Sequence, residues 1–207
     1  LGLLDGQNCA VAGLLFREAM ELDPQDRWNQ VYLGEALAGQ GNHEEALRQY
    51  RKVLRDHPDR RVASRLVDEA YHAMQNPEGR VSEWRRMTEE HPETASCWLH
   101  LGLALTDAGL TEEAETAYRR GLPADSGEDP GLTADLRTAL ASALDTLGRK
   151  ALEGKDPARA EALFREAMTL APQDRWHQVR LGEALAGRGN HGEALRQYRE
   201  VLRDHPD

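Results

Sequence analysis

Apolar residues in this chain fall at helical spacing, in paired bursts separated by short polar turns. Between residues 27 and 60, Leu33, Ala36 and Leu37 lie three and four apart, which places them on one face of a helix. After Gly41-Asn42 a second burst begins, with Ala46, Leu47, Tyr50, Val53 and Leu54 at the same kind of spacing. Gly and Asn tolerate the left-handed conformation that closes a helix. Asp56-His57-Pro58 ends the second burst, because the residue before a proline is pushed out of the α region. The pattern predicts two antiparallel helices, neither able to bury its apolar face alone. Gly34 falls inside the first helix, where glycine costs about 1 kcal/mol against alanine. That cost makes sense if the facing helix, at Ala46, comes unusually close.

The paired pattern recurs. Pro24, Pro58 and Pro92 are each 34 residues apart, as are Pro172 and Pro206. A large ring stands 16 residues after the glycine position in five frames, as Tyr50, Trp84, Tyr118, Phe164 and Tyr198. A small residue precedes it in four of them, as Ala46, Ala114, Ala160 and Ala194. On a longer scale, residues 15–59 align without a gap with residues 163–207, and 38 of the 45 positions are identical. This offset of 148 residues is four periods of 34 together with twelve extra residues, 129–140. Identity at that level implies recent duplication of a large unit. The seven differing positions, among them Asn29 and His177, Tyr32 and Arg180, and Glu44 and Gly192, are expected to lie mostly at the surface.

Leu-Gly, a turn glycine seven residues on, then Ala, an aromatic ring and a terminal proline together resemble the tetratricopeptide repeat family over essentially the whole chain. The resemblance implies an all-α, right-handed superhelical solenoid of antiparallel helix pairs. The chain then divides into a partial repeat at 1–26, repeats 27–60, 61–94 and 95–128, the insertion 129–140, and repeats 141–174 and 175–207. Repeat 61–94 departs most, with Asp68 at the glycine position, Gln75 at the turn and Arg80 at the small position. A looser or more open helix crossing is expected there. Before the insertion, 123–127 reads as a loop, and Asp129-Pro130 offers an N-cap with proline in the first turn. The insertion therefore lengthens a helix to about 22 residues by the absence of breakers, with a surplus end standing proud of the array.

Composition narrows the function. Alanine, leucine, glutamate and arginine dominate, and β-branched residues are thin, which favours helix. No run approaches the roughly 20 apolar residues of a membrane span. A net charge of -10 with few aromatics argues against a nucleic-acid surface. Arginine outnumbers lysine by 23 to 3, as in proteins of GC-rich bacterial genomes. Cys9 and Cys97 are 88 residues apart, which leaves no disulfide framework or zinc motif and suits small packing residues. Leu1-Gly2-Leu3-Leu4 resembles no signal peptide, so the expected compartment is the cytoplasm.

Sequence chemistry offers little to an enzyme. His57-Pro58-Asp59 and His205-Pro206-Asp207 match a co-chaperone tripeptide, but they close repeats, as does His91-Pro92-Glu93. Gly148 to Asp156 misses the phosphate-loop pattern in spacing and in its final hydroxyl, and it falls within a helix. The eight histidines form no His-x-x-x-His or His-Glu-x-x-His pattern, and most sit at turns, such as His43 and His191, or at helix ends. Glu44-Glu45 and Glu112-Glu113 open second helices, where acids suit the helix dipole. Neither a cofactor nor a metal is called for.

In the resembled family the inner face of the first helices forms a concave groove that takes a peptide or partner protein. Carried onto this chain, the groove residues are Trp28, Val31, Tyr32, Glu35, Arg65, Glu69 and His72, then Leu99, His100, Leu103 and Asp107. Asp145, Arg149, Trp176, Val179, Arg180 and Glu183 follow. Trp28 and Trp176 are either groove anchors, since aromatics dominate binding hot spots, or repeat core. The Lys and Asn positions of the chaperone-binding clamp hold Val31, Glu35, Arg65, Glu69, Leu99 and Leu103 here, so that clamp is absent. The implied function is a protein-interaction scaffold. The alternatives are a sensor or regulatory arm of a larger signalling protein, or a self-associating array. Leu1 falls opposite Arg149 in mid-helix and no capping helix follows Asp207, so uncapped ends are expected to associate weakly through Leu195, Tyr198, Val201 and Leu202.

Overall fold

A computed structural model describes residues 6–24, 26–57, 61–125, 127 and 129–204. Every regular element among them is an α-helix. In chain order these are α1 (Gly6–Leu22), α2 (Arg27–Gly39), α3 (His43–Asp56), α4 (Arg61–Ala73), α5 (Pro77–Glu90) and α6 (Ala95–Asp107). They continue with α7 (Thr111–Ala124), α8 (Pro130–Glu153), α9 (Pro157–Leu170), α10 (Arg175–Gly187) and α11 (His191–Asp204). The chain forms two compact units, Leu1–Ala104 and Leu105–Asp207. In the first, α1 packs on α2, α2 on α3, α3 on α4 and α4 on α5. In the second, the same serial packing runs from α7 to α11. The terminal tripeptide His205-Pro206-Asp207, the leading residues 1–5 and the repeat end Pro58-Asp59 lie outside the described residues.

Local rules account for the helix ends. The turns between paired helices place Gly41 and Gly189 at φ +80° and +81°, the left-handed region where a Cβ is penalised. Gln75 (φ 51°) and Lys155 (φ 58°) adopt the same region without being glycine. Asp26, Asn76, Asp156 and Asp174 cap their helices by accepting hydrogen bonds from backbone N–H groups. Acidic pairs open α3 and α7, as the helix dipole favours.

The apolar faces meet as the spacing requires. Leu33, Ala36 and Leu37 of α2 and Ala46, Leu47, Tyr50, Val53 and Leu54 of α3 are all buried. The helical glycine, however, is there for the ring and not for Ala46. A Cβ on Gly34 would strike the Tyr50 ring, and one on Gly182 would strike Tyr198. One on Gly148 would come within 2.5 Å of Phe164 Cε1, and Phe164 is fully buried.

Repeat 61–94 solves the same problem differently. Its glycine position holds Asp68, whose Oδ1 accepts from Trp84 Nε1 and from Arg80 Nε, both at 2.7 Å. Two of the three departures, Asp68 and Arg80, therefore meet each other and the ring at the aromatic position. Helices α4 and α5 approach less closely than α2 and α3, so the crossing is more open, as expected. It is not looser, because Trp84 is fully buried and Arg80 is only 5 % exposed.

The insertion departs from expectation in two ways. Asp129 caps α8 by accepting from Gly131 and Leu132 N–H, with Pro130 in the first turn, and α8 runs to 24 residues. Its early turns do not stand proud, because Leu132, Leu136 and Leu140 are buried. An apolar residue at every fourth position continues the core stripe into the extension. The preceding loop begins at Asp125 and not at Pro123, which lies in the last turn of α7. Only the carbonyl bond of its own missing N–H is lost there, and Asp125 N–H still reaches Gly121 O at 3.1 Å. The differences between the duplicated segments are mostly exposed, and Tyr32 and Arg180 are half-buried. His177 is the exception, at 4 % exposure.

Gly148→Ala should destabilise the second unit by about 1–3 kcal/mol through overpacking, against a helix-propensity gain of about 1 kcal/mol. Gly192→Ala, with nothing within 4 Å of its Cβ, should leave stability equal or raised. Urea unfolding midpoints test the contrast, and adding Phe164→Leu to Gly148→Ala should recover part of the loss. A Gly148→Ala chain as stable as Gly192→Ala would refute the ring contact as the reason for glycine.

Candidate functional site

In the first unit, the N-terminal half of α2 presents aromatic surface. Asp26 accepts from Trp28 N–H at 2.9 Å and fixes the start of the helix. Trp28 and Tyr32, one helical turn apart, stack with ring centroids 5.9 Å apart. Tyr32 also stacks on Phe16 of α1 at 5.3 Å. Trp28 keeps 38 % of its surface exposed, so it is not repeat core. Arg65 pairs with Glu69 on the exposed side of α4.

Beside this surface lies a buried polar cluster around Asp68. Besides Arg80 and Trp84, Asp68 meets His100 Nδ1 through Oδ2 at 2.6 Å, and the His100 ring stacks on Trp84 at 4.6 Å. His72 Nε2 lies 3.1 Å from Arg80. Burial alone would raise the Asp68 carboxyl, but His100 and Arg80 together hold it below the usual carboxylate range. A second cluster, on α5, holds Glu83 in the same way. Burial opposes its charge, while Arg51 at 2.6 Å and Arg86 at 2.7 Å lower it.

In the second unit, α8 and α10 enclose a concavity of about 910 Å³, with Trp176 and Arg175 at one side and Thr138, Ala141 and Ser142 at the other. Asp174 caps α10 through Trp176 N–H at 2.9 Å. The Arg175 guanidinium lies 5.8 Å from the Trp176 ring centroid, and Trp176 is 57 % exposed. Asp145 of α8 organises the floor. Arg180 Nε approaches its Oδ1 at 2.8 Å, His177 Nδ1 approaches the same oxygen at 3.4 Å, and Arg149 Nε approaches Oδ2 at 3.3 Å. The buried atoms Asp145 Oδ1, His177 Nδ1 and Arg180 Nε make no aligned hydrogen bond.

Comparison with known proteins agrees with this architecture. Sequence profiles described as tetratricopeptide repeat match residues 3–78 and 151–207, and a second such profile matches residues 67–129. The chain belongs to the tetratricopeptide repeat family. It is 25 % identical, over 94 % of its length, to cellulose synthase 1 operon protein C of Komagataeibacter xylinus, and spans 15 % of that relative. Among solved structures it resembles YrrB, described as a TPR protein with an unusual peptide-binding site, at TM-score 0.56 and 17 % identity, covering 93 % of each chain. It also resembles MamA at TM-score 0.55 and 18 % identity, covering 86 % of this chain and 90 % of that one. At these identities the structural likeness is one of fold. The chain is a helical-repeat scaffold of the kind that serves protein–protein interaction.

Against the tetratricopeptide groove positions, the structure sorts the sequence candidates. Trp28, Tyr32, Glu35, Arg65, Glu69, His72 and Leu103 lie in the first unit with exposed or partly exposed side chains, while His100 belongs to the buried cluster on Asp68. Val31 and Leu99 are core, at 3 % and 6 % exposure, because each faces inward from its helix. That corrects their assignment to the groove surface. In the second unit Asp145, Trp176 and Arg180 line the concavity and Arg149 pairs with Asp145, while Asp107, Val179 and Glu183 are not among its lining residues. Cys9 and Cys97 are buried. Among the described residues no helix is long and apolar enough to cross a membrane, and no cluster of His, Cys, Asp and Glu has metal-site geometry. The sequence reading missed Asp68, Arg80, Trp84 and His177 as a class. The available signal was coupling: Asp68 and Arg80 are departures of one repeat, twelve residues apart on its paired helices, and His177 follows Asp145 by 32 residues, as His100 follows Asp68.

Asp68→Asn should cost roughly 3–5 kcal/mol at neutral pH, the range for breaking a buried ion pair. A depressed carboxyl stabilises above its unfolded value, about 3.9, and that contribution is lost as pH falls through the folded value. The stability gap between native chain and variant should therefore narrow below about pH 4. Urea titrations at pH 7 and in the acid range check this, and a gap that stays constant would mean that the charge on Asp68 contributes nothing.

Proposed function

We propose that this chain binds segments of a partner protein on the exposed faces of its first helices. The first unit uses Trp28 and Tyr32, and the second uses the concavity beside Trp176. The observation that carries the reading is the pair of duplicated tryptophans, 38 % and 57 % exposed at matching places in the two copies. A large apolar ring left partly open in both copies is costly surface unless something covers it, and aromatic and arginine side chains are the commonest anchors of protein interfaces. The peptide-binding site attributed to YrrB is in keeping with such a use of the fold.

A second reading, association between copies, has its own observation. Leu195 and Leu202 of α11 are 53 % and 66 % exposed, whereas their counterparts Leu47 and Leu54 are buried at 3 % and 0 % where α4 packs on α3. Each such side chain stabilises by roughly 1.5–3 kcal/mol when fully covered.

Trp28→Ala with Tyr32→Ala, and separately Trp176→Ala, should each weaken retention of a partner in pull-downs with the intact chain while leaving the helical circular dichroism unchanged. Loss of helicity in step with binding would return the rings to the fold and remove the reading. For the second reading, light scattering across a concentration series should show mass rising with concentration, and Leu202→Lys should abolish the rise. A constant monomer mass at high concentration would exclude it.

A further inference from the structure

We propose that the concavity between α8 and α10 selects a partner segment with an acidic side chain inside its sequence, held by Arg180 beside an aliphatic residue packed on Trp176. This rests on the binding reading above and names the chemistry of one of its two surfaces. The first observation is the pattern of change between the copies. Seven positions differ among 45, and two of them, Asn29 against His177 and Tyr32 against Arg180, bring their second-copy side chains to the same carboxylate, Asp145. In the first copy the corresponding surface is a stack of three rings, Trp28, Tyr32 and Phe16. In the second, the stacked tyrosine is replaced by a cation.

The second observation is the charge balance of the wall. The chain carries a net charge of -10, yet Arg175 and Arg180 line this concavity, and Arg149 reaches Asp145 from along α8. The acids nearby are engaged internally. Asp145 has 14 % of its side chain exposed and is shared by Arg149, His177 and Arg180, while Asp174 caps the Trp176 N–H and lies 3.6 Å from His177 Nε2. Arg180 meets Asp145 through Nε, and a guanidinium has four further N–H donors. Its side chain is 27 % exposed and lines the concavity. A carboxylate suits that donor set, because guanidinium and carboxylate form paired, charge-assisted hydrogen bonds. Ala141 and Ala171 give the apolar wall against which an aliphatic neighbour can lie next to Trp176.

The test follows the four tryptophan indole N–H signals of the full chain by NMR, assigned through single Trp→Phe changes. Three probes are titrated: a blocked Leu/Glu peptide, its blocked Leu/Gln counterpart, and the Leu/Gln peptide with a free C-terminal carboxylate. The Leu/Glu peptide should shift the Trp176 signal and bind about tenfold more tightly than either other probe, the loss attached to one charge-assisted contact. Added salt should weaken it. Arg180→Tyr, which restores the residue of the first copy, should remove the preference, and Arg180→Gln should do the same without a new ring. Equal binding of the Glu and Gln probes overturns the proposal, as does a free chain end that matches the Glu probe, a Trp176 signal that no probe moves, or an unchanged preference in both Arg180 variants. Those outcomes leave the wider reading to its own test, since Trp28 and Tyr32 are probed separately in the pull-down.

Discussion

An aromatic ring laid against bare helix backbone sets the spacing within these helix pairs. Where Gly34, Gly148 and Gly182 stand, the facing Tyr50, Phe164 and Tyr198 occupy the volume a Cβ would need. The glycine gives up helix propensity, and the ring fills the space between two helices that approach closely. Each helix pair thereby acquires a fixed thickness, and the remaining apolar positions need only lie at helical spacing to become core. Side chains on the outer faces are then free to vary without disturbing the pair.

Repeat 61–94 shows what replaces that contact when the glycine is lost. Asp68 fills the gap with a carboxylate, Trp84 supplies a ring with a donor, and Arg80 neutralises the charge. The helices stand farther apart and the space is occupied by polar groups that satisfy one another. A buried ionic cluster is seldom a net gain over apolar packing, but removing one member leaves the others charged and dry. The three residues therefore behave as one unit, and His100 extends it by linking α4 to α6 through Asp68.

The duplication separates scaffold from surface. The residues that make the ring contact and the core are the same in both copies, while the differing positions are largely exposed. His177 is the instructive case. It is buried, yet it differs from its counterpart, because it and Arg180 are held by a carboxylate on the neighbouring first helix and not by the core of their own pair. A first-helix face can thus be rewritten from stacked rings to a charged concavity while the fold beneath it is retained.

By itself the sequence determined the helices, their pairing, the period of 34 and the cap that lengthens α8 at Asp129-Pro130. These follow from spacing and capping within a few residues of one another, which are local rules. It left open whether Trp28 and Trp176 were core, placed Val31 and Leu99 on the wrong side of their helices, began the loop at Pro123 and let the early turns of α8 stand free. It did not join Asp68 to His100 or Asp145 to His177. Only the tertiary structure decided these, because each depends on how far one helix is rotated about its axis against a neighbour some 30 residues away. Helical periodicity marks a face but not its angle to the next helix, and a shift of one residue, about 100° by helix geometry, separates groove from core.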